Sequence, residues 1–432
     1  MDSSKKKKSS KKKSSEGNRK NWFYVMPPAF MLLAGILGLF YLSFSQDELS
    51  ARENKEANRW RVSYWKYPIP FQGEAPESNH PLSRSLTASS CAKCHPQKHK
   101  DWNASLHSQA MSPGIMGQYP HFSNGEKASC NVCHAVMSEQ VATLWDAKEG
   151  SWKNNEKFDA GLQHEGITCA ACHLRQHQRN GPPLREGSAP VSQAIHGEAQ
   201  RTAFFETSEF CRGCHQHEQG TMQPGGKPVE NTYMEWLQSP AYDSGKTCQS
   251  CHMPDRQHMW KGIHDRKMTA SGVTIKSEVS TARPIVGQTF KASLKITNTG
   301  TGHSFPTYTT PAVFLKAAFL DANGKVVSGD FYEEYLIQRR LNMSTSPWTE
   351  FFDTRLSPGE SATLVFDKTV PPEAVSFKLW IWVTPDHFYE GFYKTLLNDP
   401  THEGKAMLQE ALNIAEARQY SLFDKTLPVF LK

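Results

Sequence analysis

Five copies of one spacing, Cys-x-x-Cys-His, hold all ten cysteines of the chain: Cys91-Cys94-His95, Cys130-Cys133-His134, Cys169-Cys172-His173, Cys211-Cys214-His215 and Cys248-Cys251-His252. Composition alone would give on the order of 0.01 such motifs in a chain of this length. The spacing has a chemical reason. Two thiols one helical turn apart can each form a thioether to one of the two vinyl groups of a single haem, and the adjacent imidazole then reaches the iron as proximal ligand. Zinc ribbons also use paired Cys-x-x-Cys units, but they do not require a histidine after every pair. Disulfides between cysteines three apart are redox motifs that rarely come in fives. The expectation is therefore five covalent haem c groups, with His95, His134, His173, His215 and His252 on the irons.

Thirteen other histidines are available as second axial ligands for the five irons. His107 lies in a short amphipathic stretch after the first motif, five residues from Trp102. His164 stands five residues before Cys169, and His196 precedes the fourth motif. His264 follows the fifth motif in Gly-Ile-His-Asp, and His303 sits in the turn-like run from Asn298 to Thr307. These five are the distal candidates. His80, His99, His121, His177, His217, His258, His387 and His402 are reserves, with His99 and His258 foremost. Met111, Met116, Met222, Met253 and Met259 lie in the same region, and a methionine ligand would raise the potential.

The elements that position these residues follow from the repeat. First cysteines are 39, 39, 42 and 37 residues apart, a period near forty. Such a segment cannot bury a protein core of normal size, so the large apolar macrocycles must supply much of it. A multihaem cytochrome c domain of short helices and loops around five haems is expected over residues 88–267. Beyond it the periodicity changes to alternation, as in Val273 to Val279 and Phe290 to Ile296. Val313 to Leu320, Ala362 to Phe366 and Phe377 to Val383 also read as strands, with turns at Asn323-Gly324 and Pro358-Gly359. An antiparallel β-sandwich, immunoglobulin-like in outline, is expected over 268–400. It serves as a structural cover that also lends His303. Residues 401–432 read as a helix and tail, the helix over 403–418 presenting Met407, Leu408, Ala411, Leu412 and Ala415 on one face.

The N-terminus bears on compartment. The chain has 49 Lys and Arg against 43 Asp and Glu, but residues 1–21 hold nine of the basic side chains and two of the acidic ones. The rest is nearly neutral, which argues against a nucleic-acid-binding domain. Residues 22–45 carry no charged side chain and are long enough to span a bilayer. With the basic tail before them, they predict a single transmembrane helix that leaves 1–21 cytoplasmic and exports the remainder of the chain. A cleaved signal peptide is the competing reading. The haem domain would then stand on the periplasmic side of the cytoplasmic membrane, the side on which c-type haems are attached. Residues 46–87, polar and with Pro68, Pro70, Pro76 and Pro81, read as a linker. Trp60, Trp65 and Tyr67 either pack on the following domain or sit at the membrane surface.

The chain resembles the multihaem cytochromes c related to hydroxylamine oxidoreductase and to the tetrahaem carriers that take its electrons. The matching stretches are Cys91 to Met111, Glu165 to Cys169, Phe210 to His215, Thr232-Tyr233-x-Glu235-Trp236, Thr247 to Pro254 and Gly302-His303-x-x-Pro306-Thr307. They span roughly residues 88 to 385. The resemblance implies haems that are mostly bis-histidine and stacked in pairs, with His107, His264 and His303 as distal ligands. It also has departures. Hydroxylamine oxidoreductases carry eight haems, one crosslinked to tyrosine, and pentahaem nitrite reductases use a lysine at the catalytic haem. Here every motif ends in histidine, so no catalytic haem is visible.

Electron transfer between redox partner proteins is the function this implies, a carrier more than a catalyst. One alternative is an oxidoreductase acting on a small nitrogen or sulfur compound at one open haem. Another is the electron-transfer subunit of a quinol dehydrogenase, which would need a partner subunit because the apolar span lacks His, Asp and Glu. The sequence leaves the oligomeric state open.

Overall fold

The computed structural model describes residues 51–187, 199–217 and 223–432. The basic tail, the apolar segment 22–45 and His196 lie outside the described residues. The chain divides into units at 1–50 and 51–432, and the second unit is the one described. Among the described residues no helix is long and apolar enough to cross a membrane.

The cysteine-rich region is built from short segments. Four motifs sit on the ends of short helices, Asn124–His134, Cys169–His173, Glu209–His215 and Cys248–His252. The first begins in Ala88–Ala92 and ends in the turn beyond it. Local chemistry starts these helices where the thiols need them. The Ser123 hydroxyl accepts from the Glu126 amide while the Glu126 carboxylate accepts from the Ser123 amide, and the Thr247 hydroxyl accepts from the Ser250 amide. The region's apolar clusters are small. One joins Ile69, Val136, Met137, Ala170, Ala171 and Leu174. Another joins Ala57, Tyr64, Phe204 and Phe205.

The second cluster corrects the linker reading. Residues Lys55–Tyr64 form helix α1, capped by the Asn54 side chain. The Tyr64 hydroxyl donates to the Cys172 carbonyl at 2.8 Å, and Trp65 Nε1 donates to the Phe210 carbonyl at 2.9 Å. Trp60, Tyr64 and Trp65 pack against Phe204 and Phe210. The segment between the apolar span and the first motif is thus part of the wall around the third and fourth motifs.

The second half is a two-layer antiparallel structure. Its strands are β1 (Val273–Val279), β2 (Thr289–Asn298), β3 (Ala312–Leu320), β4 (Tyr332–Ile337), β5 (Arg339–Asn342), β6 (Thr349–Asp353), β7 (Ser361–Thr369), β8 (Ser376–Thr384) and β9 (Tyr420–Pro428). One sheet runs β7-β2-β1, the other β9-β8-β3-β4, and β5 pairs with β6. Alternation buries one face of each sheet, so Leu294, Ile296, Phe319, Phe366, Phe377 and Ile381 meet in a fully buried core. The C-terminal segment is not a tail, because β9 pairs with β8 along its length. The turn at Asn323-Gly324 forms, with Gly324 at φ +73° and Val326 bridging back to Leu320, while the longer neighbours of β3 are β8 and β4.

Two helices complete this half, α2 (His387–Asn398) and α3 (Lys405–Ala417), packed on each other. Helix α3 buries Leu408, Ala411, Leu412 and Ala415, while Met407 is exposed. Four of the five residues expected on one face are therefore inward, and Met407 lies outside that stripe.

Candidate haem-binding cavity

Between the motifs lies a single cavity of about 2510 Å³. Small-molecule sites hold roughly 300–1,000 Å³, so this space takes several large groups. Nine of the ten cysteines and all five motif histidines line it. None of the ten cysteines is in a disulfide.

Thiols of different motifs meet in pairs. The side chains of Cys91 and Cys169 lie within interaction reach of each other, as do those of Cys133 and Cys214, and those of Cys211 and Cys248; Cys133 Sγ is 3.8 Å from the Cys214 carbonyl. Cys172 acts electrostatically on both Cys211 and Cys214. These contacts order the motifs in space as first, third, fourth and fifth, with the second branching from the fourth. Cys94 and Cys251, at the two ends of that order, are exposed.

Imidazole geometry tests whether the residues fit a metal held between two rings. A metal–imidazole bond is about 2.0 Å and the ring centroid lies roughly 1.1 Å beyond the nitrogen, so rings on opposite sides of one metal have centroids about 6.2 Å apart. Three pairs meet this spacing: His107 with His215 at 6.3 Å, His173 with His258 at 6.2 Å, and His252 with His303 at 6.3 Å. Each pair joins a motif histidine to one outside the motifs. The residues fit the group that the sequence implies.

Hydrogen bonds to the far ring nitrogen fix several of these rings. Nδ1 of His134 bonds the Ala110 carbonyl at 2.6 Å, Nδ1 of His173 that of Asn180 at 2.9 Å, and Nδ1 of His252 that of Lys261 at 2.7 Å. His258 and His303 do the same with the carbonyls of Arg256 and Ser304, both at 2.9 Å. A carbonyl on Nδ1 selects the tautomer that leaves the Nε2 lone pair for a metal. Burial supports the same state. It pushes His107 down to about 3 and His215 and His258 down to about 4, so these imidazoles stay neutral at ordinary pH.

Each outer ring is presented by specific neighbours. The amide of Ile167 donates to the His107 carbonyl at 2.9 Å, and Trp102 Nε1 donates to the Ile167 carbonyl at 2.7 Å. Gly166 makes this approach possible: its φ is +61°, and a Cβ there would stand 2.7 Å from the His107 carbonyl oxygen. Gly166→Ala is expected to cost about 1–3 kcal/mol through backbone strain. It should also displace His107, visible as a lower Tm together with an altered low-spin EPR signal. His258 sits in a stretch where Asp255, Arg256 and Trp260 all have positive φ, a concentration of backbone strain typical of functional segments. His303 is held from both halves of the molecule. Asn298 Nδ2 and Thr301 Oγ1 donate to its carbonyl at 2.9 and 2.6 Å. Glu235 accepts from the Ser304 amide at 3.1 Å and from Thr307 Oγ1 at 3.0 Å. Arg355 then pairs with Glu235 at 3.0 Å. Two of the stretches that carry the family resemblance therefore touch.

The other distal candidates differ. His164 is a correction. Helix Ala160–His164 turns Leu162 and Gln163 inward, which leaves His164 exposed and off the cavity wall. His264 does line the cavity, but its Nε2 bonds Asp386 Oδ1 at 2.9 Å, and among the described residues no imidazole stands across from it at the two-ring spacing. His258, held only as a reserve in the sequence, takes the place beside His173. His177 bonds the Gly73 carbonyl through Nε2, and His402 bonds that of Gly117. Both are structural.

No protein-family description and no curated protein matches the chain. Among solved structures, it is similar to a penta-haem cytochrome c552 from Thermochromatium tepidum. The identity is 19% and the TM-score 0.55, over 81% of this chain and 100% of that one. A CARDB domain from Pyrococcus furiosus aligns with 37% of this chain and 87% of its own length, at 13% identity and a TM-score of 0.18, too loose to bear on the fold. The likeness to the cytochrome is one of fold: this chain has the fold of a multihaem cytochrome c.

Proposed function

We propose that the chain is an exported, membrane-anchored electron-transfer protein with five covalently attached haems c. The observation that carries this reading is the shared cavity in which five Cys-x-x-Cys-His motifs stand thiol to thiol. His95, His134, His173, His215 and His252 are the proximal ligands. His107, His258 and His303, at the two-ring spacing from His215, His173 and His252, would supply the second ligands of those irons. When bound, each haem supplies a one-electron iron couple. The chain's own part is to fix distance and environment. Carbonyl bonds to Nδ1 hold the imidazoles in one tautomer and orientation. At the third, fourth and fifth motifs, paired imidazoles would leave no position for substrate, which favours a carrier. The exposed ends at Cys94 and Cys251 are the places where redox partners would approach. The basic tail and the uncharged span 22–45 support an anchor with the haem domain on the extracytoplasmic side. The motifs shared with relatives of hydroxylamine oxidoreductase support descent from that group.

Protein-film voltammetry tests the reading. A reversible wave integrating to five electrons per chain, without added substrate, is expected. A smaller count, or current only in the presence of a substrate, contradicts it. His258→Ala should convert one low-spin iron to high spin in the EPR spectrum, and an unchanged spectrum would remove His258 from the ligand set.

A further inference from the structure

Helix α1 is fixed to the body of the molecule at both ends. At its start the Tyr242 hydroxyl donates to the Arg52 carbonyl at 2.8 Å, the Asn54 amide donates to Glu209 Oε1 at 3.3 Å, and Arg212 pairs with Glu53 at 2.7 Å. At its end Arg175 donates to the Tyr64 carbonyl through Nε at 3.0 Å and Nη2 at 2.8 Å, and its guanidinium carbon lies 3.7 Å from the centre of the Tyr64 ring. The Trp65 ring closes on the fourth motif, where a Cβ at Gly213 would stand 3.0 Å from it. Ala57 and Tyr64 are buried by this packing, so the direction of the opposite face of the helix is set.

That opposite face carries Lys55, Arg59 and Val62, spaced i, i+4 and i+7 on one side of the helix. All three are exposed, Val62 by 62%, and so is Lys66 just beyond the helix end. Among the described residues no carboxylate pairs with Lys55, Arg59 or Lys66, and Glu53 is engaged by Arg212, which leaves Glu56 as the acidic residue of the helix. Six peptide steps separate Ser45, the last residue of the uncharged span, from Ala51. They reach at most about 20 Å, so a bilayer holding that span has its surface within reach of the helix. Cations beside a bilayer are drawn to anionic headgroups, roughly fivefold in partitioning for each. An apolar side chain among them can enter the interface.

We propose that the Lys55–Arg59–Val62 face of helix α1, together with Lys66, rests on anionic lipid headgroups of the membrane that holds the span. This rests on the membrane-anchored reading above and adds an orientation to it. Helix α1 and Trp65 are tied to the Cys172 and Phe210 carbonyls, so the third and fourth motifs are the ones turned toward the bilayer. A donor in the membrane would then meet the haem chain at its branch.

The test uses the full haem-loaded chain in lipid nanodiscs, with haem content and retention in the disc measured on each sample. Lysines are acetylated with acetic anhydride, and the rate at each is read by peptide mass spectrometry. Lys295 on strand β2, which is exposed, is the comparison. In discs of phosphatidylcholine with phosphatidylglycerol, Lys55 and Lys66 should react roughly threefold or more slowly than in discs of phosphatidylcholine alone, while Lys295 keeps its rate. The double variant Arg59→Glu with Val62→Asp should bring Lys55 and Lys66 back to the faster rate. Equal rates at Lys55 and Lys66 in the two lipids overturn the inference. Protection that is as strong in pure phosphatidylcholine, or that survives the double variant, assigns the face to a protein neighbour and overturns it too. Loss of the chain from the discs overturns the anchored reading instead, and fewer than five haems overturn the carrier reading.

Discussion

Replacing Cys211 and Cys214 together by serine should divide the redox path. The fourth motif touches the third through Cys172, the second through Cys133 and the fifth through Cys248. No other motif has three such neighbours. The variant is expected to lose one haem and to slow electron equilibration between the first and fifth motifs by orders of magnitude, measured by rapid reduction followed optically. Stability should fall as well, by more than about 4 kcal/mol, because the surrounding apolar wall loses the group it packs against. Replacing Cys91 and Cys94 serves as the comparison. It also removes one haem, but from an end, and should leave equilibration among the other four fast. Equal slowing in both variants would contradict the branched order.

Arg355→Ala is expected to have the second large effect, on stability and on one iron together. The Arg355 side chain is only 3% exposed and pairs with Glu235 at 3.0 Å and Asp353 at 2.9 Å. Its removal leaves two carboxylates partly buried beside each other, a change that costs about 3–5 kcal/mol where a buried pair is broken. Glu235 also holds the Ser304 amide and Thr307, so the loop that presents His303 should loosen. The EPR signal of a single low-spin haem should broaden or shift while the others stay fixed. The pH dependence has a definite sign. Against the push of burial, Arg355 and Lys227 hold the Asp353 carboxyl well below the usual carboxylate range. A depressed carboxylate contributes stability that is complete above its ordinary pKa of 3.8 and is lost as pH falls below it. Wild type and Arg355→Ala should therefore differ most at neutral pH and converge in strong acid, as followed by thermal melts.

The chemistry of the chain is local in sequence, and its completion is not. A thioether pair and a proximal imidazole need only five consecutive residues, so each motif was legible from spacing. The strands at Val273–Val279 and Thr289–Asn298 were also legible, since apolar and polar residues that alternate over seven or more positions fit a half-buried strand and no helix face. Distal ligands are set by tertiary approach. His164 and His258 lie close to motifs alike, yet only His258 is turned to the cavity, by a backbone with positive φ at Asp255, Arg256 and Trp260. No side-chain pattern announces that turn. Helix α1 was hidden for a related reason: its partners Phe204 and Phe210 are about 150 residues away in the chain, and the prolines beside it read as linker. Strand β9 was missed because its polar residues Ser421, Asp424, Lys425 and Thr426 mask an edge pairing with β8.

Intact-mass measurement of the mature chain bears most directly on the central claim that paired thiols tether porphyrin to this polypeptide. The expected result is the polypeptide mass increased by five haem groups that survive denaturation and acid extraction, with five irons per chain. A mass equal to that of the bare peptide, or zinc in place of iron in the purified material, would contradict it.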